Sequence, residues 1–530
     1  MESFRTFLDA LRDAGELVDV HKTVDVRHVA ALVDQASTAL LFHRVGGYDL
    51  PIVSGLLNDR KRIALSAGCD YAQMERRLSQ ALDHPVDPVE VDDGGERHWF
   101  REGAAVDLFD LPVPVFSEFD GGPTITAGVT LAHDPEHGLN AGTYRFQVKE
   151  RNLTGIDIVT PNNLRRLAEK ALAANAPLPI SINIGTHPLE LMASLYKAPL
   201  GRNELAIAGG MLGRAVRLGA CRTIDTPCLA DAEIVLEAEI LPTGWTRQEG
   251  RFGEMTRLMG DVHYNPHVRI KAISRREDAV YYALHMPWEN IWIKEHGFQA
   301  VLKRVLDAAG VTVTAVNVTP GGCCHWHAII AIRKQPGDPQ NAIMAALSVA
   351  DLKHVVIVDD DIDVYDAMEV EWAMASRVQA DRDVTILSDA RSKPLDPSLP
   401  VSDGIPTTAK MGIDATIPDG VPRARYERIT YPYADELDLG AYLGEAEAVD
   451  VSGGAGASGV ILIEGAAARI RELLTTEPLY FSEIARQVSE CDFPGVARAM
   501  GELHAAGEID QDAEGRYRIV ATLDVMQLKK

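Results

Sequence analysis

The stretch Glu249-Gly250-Arg251-Phe252-Gly253-Glu254-Met255 cannot be a regular strand if its two carboxylates are to act together. Side chains alternate faces along a strand, so residues five apart point in opposite directions. Gly250 and Gly253 let the chain bend and bring both acids to one side. Two carboxylates in one pocket cannot both ionise cheaply, so one pKa rises. A carboxylic acid kept protonated near neutral pH can deliver a proton. An arginine is wanted nearby, to hold the other carboxylate ionised and to grip an anionic substrate. Arg145, in Asn140-Ala141-Gly142-Thr143-Tyr144-Arg145, is the candidate. On spacing alone, a solvated acidic turn is the commoner outcome for such a pair.

A chain of 530 residues exceeds what one core usually serves, so three or four domains are expected. With 46% apolar and 24% charged residues it reads as a globular protein. A formal net charge of -25 argues against a general nucleic-acid binder and against an anionic membrane surface. Six cysteines form no disulfide framework, and no apolar run approaches membrane-spanning length. A cytoplasmic protein is therefore expected.

The texture of the chain is mixed α/β and α+β. Residues 3 to 14 form an amphipathic helix capped by Ser3, with Phe4, Phe7, Leu8 and Leu11 on one face. Short strands and a second helix complete an N-terminal α+β region over 1–105. Residues 106–299 hold strand candidates at Ile125 to Ala132, Thr143 to Val148, Ile180 to Ile184 and Glu233 to Ile240, with helices between them. That pattern suits a β-barrel with inserted helices. Helix and strand alternate over 300–450, as in an α/β layer. Residues 451–465, rich in Gly, Ser and Ala, read as a linker. Residues 466–530 predict three helices and a β-hairpin turning at Glu514-Gly515, the pattern of a winged helix. Its third helix carries Arg498 beside Glu502, too little positive charge for phosphate contacts.

Three segments together resemble the UbiD family of reversible decarboxylases: Asn140 to Arg145, Glu249 to Glu254, and Lys410-Met411-Gly412-Ile413-Asp414-Ala415-Thr416. They occur in the family's order with similar spacing. The resemblance runs from near residue 1 to about residue 430. It implies a split β-barrel over 106–299 that binds prenylated FMN, and an α/β domain that forms a homodimer or a higher assembly. It implies reversible loss of CO2 from an aromatic, heteroaromatic or α,β-unsaturated carboxylic acid, such as a phenazine or indole carboxylate. A flavin prenyltransferase would supply the cofactor. By position, Arg145 would orient the substrate carboxylate and pair with Glu249, and Glu254 would protonate the carbon that lost CO2. Asn140, Thr143, Tyr144, Arg145, Asn162, Asn163, Glu204 and Lys410 would contact the cofactor, Lys410 at its phosphate. Asn140, Glu204 and Asn163 would hold Mn2+ or Mg2+; the family's histidine falls at Asn162-Asn163, either of which could replace it, with Asn163 favoured by its spacing from Arg145. Ala193, Ser194 and Tyr196, with Glu204, would hold K+.

Cys323-Cys324-His325-Trp326-His327 lacks a second ligand pair at zinc-finger spacing, so these read as interior residues. Asp359-Asp360-Asp361 with Asp363 reads as a strand end that caps the next helix. His285 and Trp288 could line a substrate pocket, where Trp288 would stack on a flat acid. Core packing explains a tryptophan equally well. Two rival functions remain: a flavin-free, metal-dependent decarboxylase or hydrolase, and a DNA-binding regulator that senses an aromatic acid.

Overall fold

The computed structural model describes residues 2–92, 97–393, 395–399, 406–442, 459–489, 491 and 493–520. The chain forms two units, Met1–Val421 and Pro422–Lys530. The first is the expected mixed α/β, multidomain architecture.

Its N-terminal helix, Phe4–Asp13, starts where the polar and apolar pattern says it should. The Ser3 side chain accepts from the Thr6 N–H, and Phe4, Phe7, Leu8 and Leu11 are buried. They pack into a core shared with a sheet ordered Leu17–Val20, Ala39–Phe42, Ile52–Ser54, Tyr281–Ala283. The last strand arrives from more than two hundred residues away, which ties this region to the central one.

The central region is built on a ring of strands. Ile234–Ile240, Leu178–Ile184, Thr124–Asp134, Gly138–Glu150, Leu153–Gly155 and His267–Arg275 are hydrogen-bonded in that order. His267–Arg275 also pairs back onto Ile234–Ile240, so the ring closes. Closure removes the exposed edges that an open sheet would carry. Ile234, Leu236, Ala238 and Ile240 are all buried, but so are Val235 and Glu237, so the strand is covered on both faces rather than on the one that the alternation predicts. Helices Asn163–Ala173, Pro188–Ser194 and Glu204–Leu212 are inserted between the strands.

Residues beyond 294 form a five-stranded sheet ordered Val313–Val318, His327–Ile332, His354–Asp359, Thr407–Asp414, Val384–Arg391. Helices Glu295–Ala308 and Asp338–Leu347 contribute buried residues to the core of this layer. Asp359 and Asp361 hold the buried Arg377 at 3.1 and 2.6 Å, while Asp366 caps Ala367–Arg377. Cys323 and Cys324 are buried beside Met255 and Ile291. All six cysteines are free.

In the second unit, helices Gly459–Thr476, Phe481–Gln487 and Phe493–Ala505 precede a hairpin of Ile509–Gln511 and Tyr517–Ile519. Residues 451–458 of the expected linker lie outside the described residues, and 459–465 are helical instead. No helix among the described residues is long and apolar enough to cross a membrane.

Candidate active site

Glu249 ends the short strand Arg247–Glu249, which pairs with His263–Asn265. The chain then bends, and Glu254 stands at the start of a tight turn. In that turn the Glu254 N–H donates to Leu258 O and the Gly260 N–H to Phe252 O. Gly250 is needed for close approach rather than for an unusual dihedral: a β-carbon there would lie 2.5 Å from Gly121 Cα. The buried Gln147 accepts the Gly250 N–H at 3.0 Å.

Arg145 projects from the strand Gly138–Glu150 into this turn. Its Nη1 donates to Glu254 Oε1, and its Nη2 lies 2.5 Å from Asp157 Oδ2. The guanidinium also sits over the Phe252 ring, 4.9 Å from the centroid. Its Nε is buried without a hydrogen-bond partner among the described residues. The expected pairing of Arg145 with Glu249 is thus corrected. Arg145 is bound by Glu254 and Asp157, and the ion-pair partner of Glu249 is Lys149, at 3.7 Å. The expected origin of the raised carboxyl pKa is corrected too. Burial pushes Glu249 up to about 7, against the pull of Lys149 and Arg145, and its like-charged neighbour is Asp157 rather than Glu254. Burial alone would raise Asp157, but His263 and Arg145 bring it down to about 2. Asp157, His263 and Lys149 were not found in the sequence, for no short-range pattern marks them.

A second polar cluster lies on the strand that carries Arg145. The Asn140 amide donates to Glu204 Oε1 at 3.2 Å and the Ala141 N–H to Oε2 at 2.9 Å. Thr143 Oγ1 and Ser194 Oγ are 2.7 Å apart. Glu204 is buried with neutral partners only in these contacts, and burial pushes it up to about 7. Asn162 is occupied as the cap of Asn163–Ala173, accepting the Arg165 N–H, and lies 3.5 Å from Tyr144 Oη. Asn163 donates from Nδ2 to Ala198 O. Ala193 and Ser194 are buried at the end of Pro188–Ser194, and Tyr196 follows with its N–H on Ala193 O.

A cavity of about 320 Å3 opens beside these groups, bounded by Met192, Tyr196, Ile293, Lys294, His296 and Asp351 among others. Lys294 Nζ lies 3.5 Å from the sulfur of Met255, the residue after Glu254, which links the acid's turn to this wall. Of the expected site residues, Tyr196 is the one in this wall; Arg145, Glu249, Glu254, Asn140 and Glu204 lie outside it, and Lys410, Trp288 and His285 are engaged elsewhere. Lys410 is buried, with its ammonium donating to Leu347 O, Val349 O and Ala350 O at 2.9, 2.8 and 3.3 Å. It supports the cavity wall from behind, since Val349 and Ala350 are part of that wall. The Trp288 indole N–H is taken by Asp34 at 2.9 Å, and His285 is buried with its backbone N–H donating to Glu289 Oε2.

Three family models match in order. They are the N-terminal domain of 3-octaprenyl-4-hydroxybenzoate carboxy-lyase over 8–82, its Rift-related domain over 90–287 and its C-terminal domain over 297–415. Anhydromevalonate phosphate decarboxylase of Methanothermobacter thermautotrophicus is 35% identical over 418 residues, spanning 78% of this chain and 96% of its own. The UbiD-class enzyme HmfF from Pelotomaculum thermopropionicum, solved with FMN, is 39% identical with a TM-score of 0.79. The match covers 83% of this chain and 100% of that one. An evolved dimeric form of HmfF, solved with prenylated FMN, gives 36% identity and a TM-score of 0.76, over 84% of this chain and 100% of that one. The apo 3,4-dihydroxybenzoic acid decarboxylase from Enterobacter cloacae gives 26% and 0.77, over 84% and 99%.

Proposed function

Because the chain belongs to the UbiD family of carboxy-lyases, we propose that it removes CO2, reversibly, from a conjugated carboxylic acid with prenylated FMN as cofactor. The observation that carries this reading is the Arg145, Glu249 and Glu254 cluster beside a cavity. The relatives described above are named for anhydromevalonate phosphate and 3,4-dihydroxybenzoic acid, so they do not single out a phenazine or indole acid. The class proposed is therefore the wider one, aromatic, heteroaromatic or α,β-unsaturated acids.

The residues present fit the cofactor. Glu204 is a buried carboxylate whose ionisation a cation would favour, and a divalent ion held there would supply that charge and neutralise a cofactor phosphate. The Asn140 amide, turned over, offers Oδ1 to the same ion. Asn163 completes the proposed divalent set, since Asn162 is used as a helix cap. Ala193, Ser194, Tyr196 and Glu204 remain the proposed K+ site, and Thr143, Tyr144 and Asn162 remain proposed cofactor contacts. Lys410 acts indirectly, by fixing the wall at Val349 and Ala350.

Loss of CO2 from an sp2 carbon leaves an electron pair that no ordinary side chain absorbs, and prenylated FMN supplies that electron sink. The protein's part is charge and proton management. Arg145 grips the leaving carboxylate through its unpaired Nε while Asp157 and Glu254 hold its plane. Glu249, held protonated near neutral pH by burial, is the proton reserve. Glu254, bound to Arg145 and next in the chain to Met255, which touches Lys294, delivers the proton to carbon.

The closed strand ring is the proposed flavin-binding split barrel over 106–299, between the N-terminal region 1–105 and a proposed oligomerisation domain over 300–450. Residues 466–530 are a proposed winged-helix-like unit that serves assembly rather than DNA, because Phe493–Ala505 carries Arg498 beside Glu502. Co-production with a flavin prenyltransferase tests the reading. The purified protein should carry flavin by absorbance and mass, and should release CO2 from members of an aromatic and enoic acid panel. A colourless protein active with metal alone would support the flavin-free rival. Glu204→Ala should lower manganese and flavin together.

A further inference from the structure

The cavity beside Glu254 is unbalanced in charge. Three ammonium groups, Lys197, Lys294 and Lys393, and one carboxylate, Asp351, face it. Asp351 is engaged by Lys197 at 2.7 Å and lies 3.8 Å from Lys393. Lys294 is half-buried in the wall, and its hydrogen-bond contact is the thioether of Met255, 3.5 Å from Nζ. A thioether is a weak acceptor and no counter-charge. Burial pushes Lys294 down to about 7, with repulsion from Lys393 adding to it, and burial pushes Lys393 down to about 8. His296 and His325 share the wall, and burial lowers both, so the positive charge belongs to the lysines. The remaining wall is apolar, with Leu78, Met192, Ile293, Phe298 and Val349. Lys197 and Lys393 share the single carboxylate of Asp351, an ammonium with only a thioether beside it, as at Lys294, is costly, and lysine is a strong point-charge binder of phosphate and carboxylate. The wall therefore suits a hydrocarbon body that ends in negative charge.

We propose that Lys294 and Lys393, with the exposed Lys197 at the mouth, receive a second anionic group of the substrate. The acid decarboxylated here is then a dianion, a conjugated acid that carries a phosphate or a further carboxylate away from the one it loses. This rests on the decarboxylation proposed above. Arg145 takes the carboxylate that leaves, and the lysines take the anion that stays.

The test uses flavin-loaded enzyme with cinnamic acid, 4-carboxycinnamic acid and 4-phosphonooxycinnamic acid. Their saturated phenylpropionic counterparts, which cannot react, serve for binding calorimetry. The expected result is tighter binding of both charged analogues than of phenylpropionic acid, by at least about tenfold, with the larger gap naming phosphate or carboxylate. Lys294→Met and Lys393→Met should close the gap with flavin content unchanged, through KM rather than kcat, and Lys294→Arg should keep it. Equal binding of mono- and dianions by the parent overturns the proposal. So does loss of flavin in the lysine variants without a change in discrimination, for the cations would then serve the cofactor. Release of CO2 from all three acids with equal affinities refutes the dianion and leaves decarboxylation standing. A dianion preference without CO2 release from any acid does the opposite.

Discussion

The Glu249 carboxylate occupies the space that a side chain on Gly155 would fill: a β-carbon there would lie 1.6 Å from Oε2. Gly155 ends the strand Leu153–Gly155, pinned on both sides by Gly138–Glu150 and His267–Arg275, so the backbone cannot retreat. Gly155→Ala should therefore move Glu249 and leave the ring in place. Displacing a reacting group by about 1 Å costs on the order of 10²-fold in rate. Turnover should fall by that order while flavin absorbance persists, which steady-state assays and spectra would show.

Asp157 is the second carboxylate on Arg145, and its ionised form is favoured by that contact. Asp157→Asn keeps the shape and removes the charge. With Glu254 still in place, the loss of a charge-assisted contact should cost about 1–3 kcal/mol in urea denaturation. Turnover should also fall, because Arg145 would then be drawn wholly to Glu254. Unchanged stability and turnover would show that Arg145 does not depend on Asp157.

Glu249 gives a pH signature. Its folded pKa, raised to about 7, lies above its ordinary value of 4.5. Its contribution to stability is full below pH 4.5 and is lost as pH rises through about 7, because the folded state holds a proton that the unfolded chain releases. Glu190 and Glu204, also pushed up to about 7 by burial, add the same sign. Glu249→Gln should remove one proton's share of the decline in melting temperature between pH 5 and 7.5. A parent-like slope in the variant would place the proton elsewhere.

Lys410 separates support from contact. Lys410→Met deletes the donor shared by the carbonyls of the buried Leu347 and the part-buried Val349 and Ala350, at about 1–3 kcal/mol for a buried group left unsatisfied. Calorimetry of the flavin-free protein should register that loss. A variant as stable as the parent that fails to take up flavin would return Lys410 to the phosphate.

Much of this was legible in the sequence, and for local reasons. Ser3 capped the first helix, and the alternation from Ile234 to Ile240 marked a ring strand. The helix Arg60–Ala67 was missed although its signals were present: the Asp59 side chain accepts the Arg62 N–H, and Gly68 closes it at φ 61°. Its buried Arg62 blurred the apolar stripe. The strand Val384–Arg391 pairs with the sheet on one side only and is half exposed, so burial imposes little pattern on it. The site itself divided along the same line. Arg145 and Glu254 sit in motifs, whereas Asp157, His263 and the lysines at 197, 294 and 393 come together only by folding. Nothing in their neighbours' spacing could reveal a meeting across two hundred residues.

The most direct test of the proton chemistry is Glu254→Gln, produced beside a flavin prenyltransferase and assayed for CO2 release from an acid the parent converts. The variant should bind flavin to the parent's level, by absorbance and mass, and lose turnover by at least about 10²-fold. Turnover near the parent's rate with the same flavin content would contradict the assignment of Glu254 as the group that protonates carbon.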